Sequence, residues 1–178
     1  MNAIRRRFLA YGALGFLSLG LMACGERPKV LPQGTKEEQA SAAGDSMREV
    51  IHGLAASQVQ LLIDNEKIFL PSRWRKQAKE MEELEALSKS IAPMRGETVL
   101  GKVSVLGRWA LIESVHIGDA LVGKKDAPWF MFYFAGQWRW MPASILKDPA
   151  IEGMMDRNFD LLWGTWQVAH PNTTPQGD

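Results

Sequence analysis

The side chains able to move a proton near neutral pH are three histidines, His52, His116 and His170. His116 alternates with Ser114 and Ile112 and stands just before Asp119. An imidazole beside a carboxylate is a general acid–base pair, tunable toward neutrality. His116 with Asp119 is therefore the acid–base candidate. The plainer reading is a half-exposed histidine at a strand end. His52 falls next to the apolar stripe of a helix, where packing accounts for it. No nucleophile elbow, phosphate loop or paired zinc motif occurs. His, Cys, Asp and Glu do not gather at metal-ligand spacing. The expectation is a chain without catalytic residues, metal or cofactor.

The remaining reactive group is a thiol. Cys24 is the one cysteine, so no internal disulfide can form. It follows a basic segment, Arg5-Arg6-Arg7, and an apolar run from Phe8 to Leu21 broken by Gly12, Gly15 and Ser18. That run is shorter than the ~20 residues of a comfortable membrane span and reads as a secretory signal. Leu21-Met22-Ala23-Cys24 resembles the lipobox of bacterial lipoproteins, although Met22 is a less common second residue. The resemblance implies cleavage between Ala23 and Cys24. It also implies acylation of Cys24 by a diacylglyceryl group and an amide-linked chain such as palmitate. Two or three chains anchor firmly where one is marginal. Gly25 stands where Asp would resemble an inner-membrane retention signal, so the resemblance points to the outer membrane, periplasmic side. Arg5-Arg6-Arg7-Phe8-Leu9 resembles the twin-arginine export pattern as well as a simple basic leader, and both routes stay open.

Charge narrows the partners. The 178 residues carry 21 basic and 20 acidic side chains, and loss of residues 1–23 removes three arginines and no acid, turning +1 into −2. Such a balance gives no electrostatic footprint for nucleic acid. Seven tryptophans are many for this length. Trp138 and Trp140 lie on the same side of a short strand expected at a sheet edge. Exposed there, they would stack on sugar rings or anchor a protein partner; buried, they are core.

These residues need a scaffold. Gly25 to Gly44 is polar and proline-punctuated and reads as a tether, with Thr35 and Glu38 spaced for a capping box. Asp45 or Ser46 is expected to cap a first helix, with Met47, Val50, Ile51, Leu54, Leu61 and Leu62 on one face. Gly53 within it is a candidate close-packing point. Ser72 is expected to cap a second helix through Ala92, closed by Pro93. Its basic start (Arg73, Arg75, Lys76, Lys79) opposes the helix dipole. Alternation then marks strands over Val99–Val105 and Trp109–Ile117, with turns at Gly107-Arg108, Gly118-Asp119 and Gly136-Gln137. Trp129–Phe134 is apolar without alternation, so both faces of that strand should be covered. Asp148 and Pro149 are expected to start a final amphipathic helix whose stripe runs from Ile151 to Trp166.

The resulting expectation is an α+β domain over residues 45–169. It has two N-terminal helices, a curved antiparallel sheet of about four to five strands and a C-terminal amphipathic helix. Residues 1–23 are the signal, 24–44 the lipidated cysteine and tether, and 170–178 a disordered tail. Helices followed by a meander with Gly136-Gln137-Trp138 resemble the cone fold of ketosteroid isomerases and nuclear transport factor relatives. That fold implies an apolar pocket, with His116 and Asp119 as its candidate polar groups. Trp140-Met141-Pro142-Ala143-Ser144-Ile145-Leu146 also resembles the closing strand of a Src-homology-type small barrel. Three roles remain in play. The first is a lipid-anchored, non-catalytic module binding an envelope protein. The second is a pocket for a small ligand, and the third is peptidoglycan binding through Trp138 and Trp140.

Overall fold

The structure, a computed structural model, describes residues 30–71 and 78–171. The expected signal, Cys24, most of the basic stretch at 73–79 and nearly all of the expected tail lie outside them. Helix α1 (Lys36–Ala55) begins earlier than its expected start at Asp45 or Ser46. The reason is local. The Thr35 hydroxyl accepts from the Glu38 amide at 3.2 Å, and the Glu38 carboxylate accepts from the Thr35 amide at 2.7 Å. This capping box satisfies N–H groups that an uncapped start would leave open. Ala40, Ala42 and Ala43 then carry the helix on through what composition reads as tether. Pro32 is buried, and the Gln39 side-chain amide donates to the carbonyls of Pro32 and Gly34 at 3.1 and 2.9 Å. Residues 32–44 thus belong to the folded body.

At the other end, α1 stops at Ala55. Ser57 adopts a left-handed φ of 58°, and α2 (Val59–Asp64) starts afresh. The restart rotates Leu61 out of the apolar stripe, leaving it 51% exposed. Gly53 is a close-packing point as expected. A Cβ there would lie 2.7 Å from Leu62 Cδ2. Helix α3 (Ala78–Ile91) packs on α1, Leu84 and Ile91 are buried in the core, and the buried Ser88 hydroxyl donates to the Leu54 carbonyl at 2.6 Å.

Seven short strands follow: β1 (Thr98–Leu100), β2 (Val103–Leu106), β3 (Trp109–Ile112), β4 (Val115–Ile117), β5 (Ala120–Leu121), β6 (Trp129–Phe134) and β7 (Gln137–Met141). They form two antiparallel sheets, in the orders β1-β4-β5 and β2-β3-β6-β7. Each long strand expected from alternation is interrupted, one at Gly101-Lys102 and the other at Glu113-Ser114. The hairpin crosses the break intact. Gly101 N–H donates to Ser114 at 2.8 Å, and Glu113 N–H donates to Lys102 at 3.0 Å. The pair bends from one sheet into the other, and Gly101 permits the bend because a Cβ would meet Ser114 Oγ at 2.6 Å.

Gly107-Arg108 and Gly118-Asp119 are two-residue turns with a positive φ at the glycine, as expected. The third turn is Ala135-Gly136 rather than Gly136-Gln137, because Gln137 pairs with Phe134.

The four-stranded sheet has a helix on each face. Register puts Trp109, Leu111, Phe130, Phe132 and Met141 on one side and Ala110, Ile112, Met131, Trp138 and Trp140 on the other. Helix α1 covers the second side. Helix α6 (Arg157–Ala169) covers the first, where Phe159 meets Trp109 and Phe130 with ring centroids 4.8 and 5.2 Å apart. Both faces of β6 are therefore covered, which is why its apolar run lacks alternation.

The final helix is not continuous. Helix α4 (Ala143–Leu146) follows Pro142, α5 (Pro149–Glu152) is a single turn, and α6 restarts at Asp156. Gly153 weakens the helix after α5. The Asp156 carboxylate accepts from the amides of Asn158 at 3.0 Å and Phe159 at 3.3 Å, a better N-terminus than a continued helix offers.

Candidate functional site

The structure separates the residues that the sequence nominated. His116 sits on β4, half-buried, opposite Val99 and Leu121. Asp119 is exposed in the following turn. Neither side chain makes a hydrogen bond or ion pair among the described residues, so the two are not coupled. His52 is exposed rather than packed. His170 stacks on Trp166 at 3.5 Å, and its Nδ1 lies 3.1 Å from the Trp166 carbonyl, closing α6. Among the described residues no three His, Cys, Asp or Glu side chains converge as metal ligands would.

Trp138 and Trp140 are core. They are 4% and 5% exposed, Trp138 packed against Tyr133 and Trp140 against Trp129. Their strand was expected at an edge, but two long-range features cover it. Helix α1 lies on their face, and residues 67–69 pair alongside β7. Phe69 N–H donates to Trp140 at 2.7 Å, and Trp140 N–H donates to Lys67 at 2.9 Å. Neither ring offers a face to a sugar or a partner.

An apolar cleft of about 170 Å³ opens on the opposite face of the sheet, between β6, α4 and α6. Phe130 and Phe159 line it from β6 and α6, with Ala143 and Leu146 from α4. Met155, Trp163 and Pro128 complete the apolar lining, and Lys147 contributes the one charged side chain. Its two helical walls are separate elements, α4 starting after Pro142 and α6 after Asp156.

Size decides what fits. A cavity of ~150 Å³ takes a single benzene ring, whereas pockets for drug-sized ligands run to ~300–1,000 Å³. The cleft thus matches one large apolar side chain. Among the described residues its lining holds no thiol, hydroxyl or carboxylate; apart from the Lys147 amine it is apolar, and what it offers is burial. Sequence reasoning missed it because its lining spans residues 128–163, across a helix break that the apolar periodicity hides. A signal did exist in the Pro142 and Gly153–Asp156 interruptions. Comparison with known proteins finds no match among family models, curated proteins or solved structures.

Proposed function

We propose that this chain is a lipid-anchored cell-envelope protein acting without catalysis. It is a binding or assembly module that takes one aromatic or aliphatic side chain of an envelope protein into the cleft between α4 and α6. The observation that carries this reading is the cleft itself: apolar, half-open and the size of one ring. Burying such a side chain contributes about 1.5–3 kcal/mol, the scale of a single interface anchor. The lipobox resemblance at Leu21–Cys24 supplies the membrane attachment and favours the outer membrane, facing the periplasm.

Two measurements test it. A photo-reactive residue at Met155, on the cleft wall, should give a discrete protein adduct in cells. Ala143→Trp, which fills the cleft, should abolish that adduct. Absence of any adduct from a folded protein overturns the docking role. Metabolic labelling with a fatty-acid analogue should mark the chain and be lost in Cys24→Ser. Equal labelling of both removes the anchor.

A further inference from the structure

A second hollow, of about 500 Å³ and shallower and more open to solvent than the cleft, lies on the α1 side of the four-stranded sheet, where the β6–β7 hairpin tip meets α1. Trp138 and Gly136 border it from the hairpin and Ala42 from the helix. Its volume falls within the range of small-molecule sites. Its chemistry is the reverse of the cleft's. Asp45 is paired with Arg48 at 2.7 Å, and Glu49 is paired with Lys67. The charged groups therefore cancel within the protein. Two uncharged groups are left open: the Tyr133 phenol and the Gln137 amide make no hydrogen bond among the described residues. Gln39 spends its amide nitrogen on Pro32 and Gly34, which leaves its oxygen as an acceptor. The Trp138 ring and the half-buried Tyr133 ring meet in a T, at 5.3 Å and 66°, which holds Tyr133 at the groove.

These features exclude two ligand classes. A phosphate or nucleotide needs cations whose charge is not already matched. A purely apolar ligand would strip water from the amide and phenol without replacing their hydrogen bonds. A neutral polyhydroxylated ring satisfies both, its hydroxyls meeting planar amide and phenol groups while its C–H face lies on an aromatic side chain. We propose that this groove binds a neutral saccharide of one or two rings, with Tyr133 as the stacking platform and Gln137 and Gln39 as hydrogen-bonding groups. The inference is independent of the cleft and of the lipid anchor.

Saturation-transfer NMR on the purified full chain in detergent tests it, with a tetramer of N-acetylglucosamine, a tetramer of glucose and an uncharged tetrapeptide as probes. Transfer to at least one sugar and none to the peptide is expected. Response to N-acetylglucosamine alone identifies a wall-type glycan, and response to both sugars a general polyol site. Tyr133→Ala should weaken binding about tenfold. Because Tyr133 also packs on Trp138, a second variant is needed. Ala42→Trp fills the groove from an exposed helix position and should abolish transfer with an unchanged unfolding midpoint. Silence with both sugars, transfer to the peptide alone, or undiminished sugar binding in Ala42→Trp overturns the proposal.

Discussion

The Ser46 hydroxyl donates to the main-chain carbonyl of Trp138 at 2.8 Å, joining α1 to β7 across the core. Residues 67–69 pair with β7 only around Trp140, so the Trp138 carbonyl lies beyond that pairing, and the helix serves it instead. Ser46→Ala leaves a buried acceptor unsatisfied, at about 1–3 kcal/mol. The urea midpoint should fall while the slope of the transition stays constant.

Two helical glycines should respond to alanine with opposite signs. Intrinsic propensity favours alanine by about 1 kcal/mol at either position. At Gly164, in α6, nothing lies within 4 Å of the new Cβ, so Gly164→Ala should raise the melting temperature. At Gly53 the new Cβ falls 2.7–2.9 Å from three atoms of the buried Leu62, and overpacking of about 1–3 kcal/mol outweighs propensity. Thermal unfolding of the two variants should shift in opposite directions. A rise for both would mean that α1 and α2 are not packed as described.

The hairpin at Ala135-Gly136 places a non-glycine residue at φ 51°. Left-handed backbone is unfavourable for alanine and tolerated by asparagine. Ala135→Asn should therefore stabilise the protein by about 0.5–1 kcal/mol, read as an increased urea midpoint. A loss would indicate a different turn.

Asp156 connects stability to the cleft. Its carboxylate caps α6, which forms one wall. Asp156→Ala should cost about 1 kcal/mol and lower adduct yield from the photo-reactive group at position 155. Asp156→Ser, which retains a capping oxygen, should restore both. If the alanine variant keeps full yield, the N-terminal turn of α6 does not shape the cleft.

Local chemistry was readable in the sequence, and distant pairing was not. Gly107-Arg108 and Gly118-Asp119 were legible because a two-residue loop demands a glycine at a particular place. The capping box at Thr35 and Glu38 was visible, but the polar composition around it suggested a tether. The same helix proved to be held by burial of Ala43 and Gly44, a tertiary effect. The burial of Trp138 and Trp140 depends on α1 lying over their face and on residues 67–69 returning beside β7, two long-range features that no periodicity encodes. His116 and Asp119 looked like a pair because they are close in sequence, yet the turn at Gly118 leaves them uncoupled. The apolar stripe from Ile151 to Trp166 correctly marked a core-facing segment. It hid the break at Gly153, because two short helices can present the same apolar residues as one long one.

The docking of Pro32 onto α1 sets a mechanical limit. On the lipobox reading, about seven residues separate Cys24 from Pro32, and even fully extended the stretch between the two spans no more than ~29 Å. The domain is then on a short leash and explores only a thin shell beside the bilayer. A target inside that shell meets it at an effective concentration in the ~millimolar range, so a weak single-residue anchor can suffice. A target farther out is beyond reach at any affinity.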